Sequence, residues 1–243
     1  RSDLHYCLPP LHRWNLDDVL TLIERQKYFL LHAPRQTGKT SCLLALMEHL
    51  NRGGRYRALY VNIEAAQAAR ERVEAGMAAV VQAIANSAAW RLKDPLADAL
   101  AREVLQGPSL LVGVEAFLTR WCAQSPHPLV LLLDEVDALV GDTLISLLRQ
   151  LRAGYEQRPH HFPQSIILCG VRDLRDYRIH ARSEPSPITG GSAFNIKAKS
   201  LRLGDFTAEE VTTLLHEHTA ATGQPFTPDA LARVWDLTQG QPW

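Results

Sequence analysis

The stretch Tyr28-Phe29-Leu30-Leu31-His32-Ala33-Pro34-Arg35-Gln36-Thr37-Gly38-Lys39-Thr40 decides the fold. Its first five residues form a short apolar run of strand character. The next eight follow the pattern G-x-x-x-x-G-K-[ST], with Ala33 in place of the first glycine. Behind them Leu43, Leu46, Met47 and Leu50 recur at helical spacing, and Gly53 and Gly54 end that helix. Strand, tight loop and helix is the context in which backbone N–H groups converge on a phosphate. Gly38 lets the backbone come close, Lys39 reaches the β- and γ-phosphates, and the Thr40 hydroxyl suits Mg²⁺. Ala33 only enters the turn, so the missing glycine is a small departure. Ala33, Pro34, Arg35, Gln36, Thr37, Gly38, Lys39, Thr40 and Ser41 are therefore candidate nucleotide-binding residues. The competing reading is a chance G-K-T at a helix start.

A second element weighs against chance. The apolar run Leu129–Leu133 ends in Asp134-Glu135. A buried strand of this kind delivers Asp134 to a Mg²⁺ shell, and Glu135 beside it polarises a water for attack on a γ-phosphate. An isolated Asp suits a kinase or GTPase, whereas Asp-Glu suits an ATP-hydrolysing site. Two acids that merely end a strand are the bland alternative. Asp137, on the next turn, reads as a helix cap rather than a ligand.

Outward from these motifs the pattern alternates. Asn15 caps a helix over residues 16–25, and Arg57–Ile63 and Ser165–Cys169 read as further buried strands. Residues 65–125 are Ala-rich and helical, broken by Pro95 and by Gly107-Pro108 into three pieces. Leu144, Leu147, Leu148 and Leu151 mark another helix, and residues 176–195 a long loop. Ile196–Leu203 is a candidate fifth strand. Thr207-Ala208-Glu209-Glu210 is a capping box, and Thr227-Pro228 opens a last helix. The expected architecture is α/β: a five-stranded parallel sheet with helices on both faces over residues 1–204, then the beginning of a small helical lid domain over 205–243.

Composition narrows the rest. Of 243 residues, 46% are apolar and 21% charged, and 26 basic side chains balance 26 acidic ones. The zero net charge gives no global field toward nucleic acid or membrane. Cys7, Cys42, Cys122 and Cys169 form no C-x-x-C pair, so a reducing, cytoplasmic setting is expected, without structural zinc. No apolar run approaches the roughly 20 residues of a membrane span. The chain begins at Arg1 and ends at Trp243 in a helical pattern, which leads us to expect a piece of a longer protein.

Together these residues resemble the AAA+-related P-loop ATPases, in the branch shared by archaeal-type, origin-recognition-like and signal-transduction ATPases. Leu30–Thr40 is similar to their Walker A, Leu129–Leu139 to their Walker B, Leu201–Val211 to the start of their lid, and Gly240-Gln241-Pro242 to its G-x-P signature near the nucleotide. The resemblance implies ATP or ADP with Mg²⁺ held by Thr40 and Asp134, Glu135 and Lys39 as catalytic residues, and Pro242 close to the nucleotide. It also implies a polar γ-phosphate contact after the fourth strand. Cys169-Gly170-Val171-Arg172-Asp173 offers no Asn or Ser there, so Arg172 is the substitute, with a surface ion pair as its alternative. The family's base pocket falls on His5–Pro10, where Tyr6 or Pro9 either packs on adenine or straps the core. Arg35 and Gln36 face either phosphate or a neighbour.

Residues 171–202 carry seven basic against three acidic side chains. An arginine finger (Arg178 or Arg182), a nucleic-acid contact and an ordinary solvated loop all fit. Three functions remain in competition: an ATP hydrolase that switches a lid and downstream domains, a nucleotide-dependent scaffold with negligible turnover, and a P-loop phosphotransferase. A homo-oligomer or a fused C-terminal effector is the expected partner.

Overall fold

The computed structural model describes residues 6–171 and 198–242. Asn15 caps helix α1, Leu16–Glu24, by accepting the Asp18 N–H at 3.2 Å. Strand β1, Phe29–His32, runs into the cradle, and helix α2, Lys39–Arg52, leaves it. Strand β2 is Arg57–Asn62. A 3₁₀ turn at Glu64–Ala69 precedes helices α3, Val73–Arg91, α4, Pro95–Leu105, and α5, Gly113–Gln124. Strand β3, Leu129–Asp134, a one-turn 3₁₀ segment at Val136–Ala138 and helix α6, Gly141–Ala153, follow. Strand β4 is Ser165–Gly170 and strand β5 is Lys199–Arg202. Helices α7, Ala208–Thr222, and α8, Pro228–Thr238, complete the order.

The sheet order is β2-β3-β4-β1-β5, and every neighbouring pair is parallel. Both faces are buried, which is why the strands read as unbroken apolar runs. One face carries Leu59, Val61, Leu131, Leu133 and Leu168 against α3–α6. The other carries Leu31, Tyr60, Leu132, Ile167 and Cys169 against α1 and α2. The expected α/β sheet with helices on both faces is thus present, and α7 and α8 pack on each other.

One expectation is corrected. Asp137 caps no helix: it lies inside the Val136–Ala138 turn, and α6 starts only at Gly141, where φ is +57°. Helix α8 stops at Thr238, and Trp243 lies outside the described residues. Gln239 and Gly240 take left-handed backbone, with φ of +48° and +75°. Of the basic segment, Lys199 pairs with Asp18 at 3.0 Å and Arg202 with Asp205 at 3.7 Å. Arg172, Arg178 and Arg182 lie outside the described residues. Among the described residues no helix is long and apolar enough to cross a membrane.

Asp94 knits the helical side together. It caps α4 by accepting from Leu96 and Ala97, accepts Trp121 Nε1–H at 2.9 Å, and pairs with Arg57 at 2.9 Å. Burial opposes its charge, but the Trp121 hydrogen bond and the Arg57 guanidinium outweigh that and hold its carboxyl below the usual range. A depressed folded pKa contributes stability above the unfolded pKa and loses it as pH falls through the folded value. Asp94→Ala should therefore lower the unfolding free energy at pH 7 by about 3 kcal/mol in urea denaturation. The deficit should shrink below about pH 4.

Candidate nucleotide site

The cradle is held open by its own side chains. Lys39 Nζ donates to the carbonyls of Ala33 and Pro34 at 2.9 and 2.8 Å, and Thr37 Oγ1 donates to the same Pro34 carbonyl at 2.8 Å. These bonds occupy loop carbonyls and leave amides for a ligand. Helix α2 adds its first-turn N–H groups, which have no intrahelical acceptor. Gln36 and Gly38 have φ of +60° and +86°. Gly38 meets that demand without strain, whereas Gln36 carries a cost of about 1 kcal/mol or more. Ala33 is 1% exposed at the end of β1, so its methyl fits where the pattern has glycine.

Across the cleft stands Asp134, 1% exposed. Its Oδ2 accepts from Thr40 Oγ1 at 2.7 Å and from the Tyr60 hydroxyl at 2.9 Å, and its Oδ1 from the Glu135 N–H at 3.0 Å. Burial, then the Asp134 charge and hydrogen bond, push the Tyr60 phenol well above its ordinary value, so it acts as a donor. Glu135 sits in left-handed backbone, φ +60° and ψ +40°, which costs a non-glycine residue about 1–3 kcal/mol. Burial, then the charges of Asp134 and Asp137, raise its carboxyl pKa. Asp137 Oδ1 is buried without a hydrogen-bond partner among the described residues.

Arg35, Gln36, Thr37, Gly38, Lys39, Thr40, Glu64 and Glu135 line a cleft of about 520 Å³. A larger open groove of about 1030 Å³ runs along Gln67–Arg72 and Val140. Its walls bring no hydroxyl and carboxylate together, so chemistry selects the smaller cleft. The donor set there fits a magnesium–nucleotide. Thr40 and Asp134 supply two hard oxygens, and Mg²⁺ takes few protein ligands and completes its shell with phosphates and water. Among the described residues no cluster of three or more His, Cys, Asp or Glu offers an all-protein metal site.

The structure brings Ala33–Thr40, Asp134 and Glu135 together, while Ser41 is exposed on the first turn of α2. Tyr6 lies elsewhere. Its hydroxyl is 3.1 Å from His218 Nδ1, edge-on to that ring on α7. Pro242 is half-buried beyond Gly240, whose carbonyl accepts the Phe206 N–H at 2.8 Å. Arg172 falls outside the described residues. Sequence reading missed three residues: Tyr60, Glu64 and Arg13. The Arg13 guanidinium donates to the Thr37 and Gly204 carbonyls and stacks 4.3 Å from the Phe206 ring centroid. Its Nε is buried and has no hydrogen-bond partner among the described residues, a cost of about 1–3 kcal/mol that the fork's other contacts offset.

Comparison with known proteins adds the family. No curated protein matches the sequence. Among solved structures, the E. coli MS115-1 HORMA:CdnC:Trip13 complex contains a chain similar at TM-score 0.59 and 14% identity, over 95% of this chain and 74% of that one. The Walker-type ATPase PABY2304 of Pyrococcus abyssi is similar at TM-score 0.59 and 16% identity, over 96% of this chain and 63% of that one. The Aeropyrum pernix ORC1 protein, solved in complex with DNA, is similar at 0.50 and 19%, over 96% and 56%. This chain thus spans less than two thirds of the latter two, and at these identities the likeness shows the fold alone. The profile described as AAA ATPase domain matches residues 14–170. That match runs from the residue before the α1 cap to the last residue of β4, more than half of the sequence, and so this chain belongs to the AAA ATPase domain family.

Proposed function

We propose that this nucleotide-binding ATPase domain binds ATP with Mg²⁺ at Ala33–Ser41 and hydrolyses it. The observation that carries the reading is the meeting, across one cleft, of Lys39 and Thr40 with Asp134 and Glu135. Lys39 spends two N–H bonds on loop carbonyls and keeps a third for the β- and γ-phosphates. Thr40 and Asp134 would hold Mg²⁺, which would supply positive charge to offset that on the transferring group. Glu135 orients a water and takes its proton. The water oxygen bonds to the γ-phosphorus as the bond to the departing ADP oxygen breaks, leaving ADP and phosphate. Burial and neighbouring acids raise the proton affinity of Glu135, which suits a general base. Arg172 remains our proposed γ-phosphate contact.

We further propose a core over residues 1–204 and the start of a lid from 205. Support comes from the capping box that opens α7 and from the absence of fully buried residues on α7 and α8, as expected of helices that reorient on a core. A second copy of the chain or a C-terminal effector is the partner such movement would act on.

Purified protein should release phosphate from ATP with Mg²⁺, and Glu135→Gln should lower turnover about a hundredfold or more while retaining ATP. Equal phosphate release from both would remove Glu135 as the base. A slowly exchanging nucleotide without turnover would favour the scaffold reading, and transfer to a second substrate in preference to water the phosphotransferase. Tyr60→Phe removes one donor to Asp134 and should raise the Mg²⁺ needed for half-maximal turnover about tenfold. An unchanged Mg²⁺ requirement would contradict that role.

A further inference from the structure

One side chain outside the cleft touches both the cradle and the connector to the C-terminal helices. Arg13 is the last residue of the turn Pro10–Arg13, which packs on α2. One arm of its guanidinium donates to the Thr37 carbonyl and the other to the Gly204 carbonyl, and its plane lies over the Phe206 ring, 4.3 Å from the centroid. We propose that Arg13 is a positioning residue that turns the Gly38 N–H into the cradle and ties that orientation to the connector leading into α7. The inference rests on the reading of Ala33–Ser41 as a nucleotide cradle.

In a planar trans peptide the C=O and N–H point in opposite directions. The Thr37 carbonyl is held outward by Arg13, so the Gly38 N–H of the same peptide points inward. A Cβ on Gly38 would lie 3.0 Å from the Arg13 fork, so glycine there leaves room for it as well as satisfying φ +86°. Rotation of this peptide would break the Arg13 bond, and a phosphate that fixes the N–H also fixes the carbonyl and the fork.

The other arm carries the coupling. Gly204 precedes Phe206, whose N–H donates to the Gly240 carbonyl at 2.8 Å. The contact is so close that a Cβ on Gly240 would fall 1.9 Å from the Phe206 carbonyl oxygen. Cradle, Arg13, connector and the chain after α8 therefore form one continuous set of contacts. A lysine cannot reproduce it: an ammonium is a point charge without the planar fork that spans two carbonyls and lies on a ring.

The test uses the full chain with MgATPγS in calorimetric titration, and limited proteolysis of α7–α8 with and without that nucleotide. Arg13→Gln should bind about tenfold more weakly than wild type, and Arg13→Lys nearly as weakly despite its charge. Phe206→Leu should bind within about twofold of wild type, because the cradle arm is intact, yet lose nucleotide-dependent protection of α7–α8. Wild-type affinity in Arg13→Gln or in Arg13→Lys would overturn the proposal while leaving the cradle reading intact. Absence of binding in wild type would remove both. Should Arg13→Gln fail to fold, Phe206→Leu decides: protection equal to that of wild type overturns the coupling.

Discussion

The hydrogen bond from Thr40 to Asp134 is the contact on which the site depends. A carboxylate at the end of a fully buried strand is costly to bury unless hydrogen-bond donors surround it. Asp134 accepts from Thr40, Tyr60 and the Glu135 amide. These donors come from α2, β2 and the turn after β3, so one carboxyl group fixes the relative placement of three chain segments. The sheet order makes this possible. β4 lies between β1 and β3, which separates the cradle from Asp134 by two strand spacings, about 10 Å. The first turn of α2 spans that gap and presents Thr40 to the carboxylate.

The same arrangement explains where backbone strain is tolerated. Gln36 in the cradle and Glu135 beside Asp134 both have positive φ, and both face the same cleft. Surrounding contacts hold them there: Pro34 accepts two side-chain donors on one side, and Asp134 Oδ1 receives the Glu135 amide on the other. The cleft thus combines strained backbone held by side-chain contacts with a Glu135 carboxyl whose pKa burial raises.

Much of this was legible in the sequence because its causes are local. The apolar runs that became β1, β3 and β4, the caps at Asn15, Thr207 and Thr227, and the order of cradle residues all follow from neighbours within one turn. Asp134 was legible because it ends an apolar run. Tyr60 was not. It lies 74 residues from Asp134, and only the parallel register of β2 on β3 brings its hydroxyl there. Arg13 was hidden for the same reason, since 191 residues separate it from Gly204. Asp137 misled in the opposite way: an acid after a strand resembles a cap, but Leu139 and Val140 are extended and delay α6 to Gly141. Arg172 and the basic segment after it lie outside the described residues, so their part in the site rests on sequence.

The central claim is that Thr40 and Asp134 bind nucleotide through a shared magnesium ion. Calorimetric titration of ATPγS, with Mg²⁺ and then with EDTA, into wild type and Asp134→Ala tests it most directly. The account predicts that Mg²⁺ tightens wild-type binding about tenfold or more and leaves Asp134→Ala nearly unaffected. Equal wild-type affinity with and without Mg²⁺, or full Mg²⁺ tightening in Asp134→Ala, would contradict it.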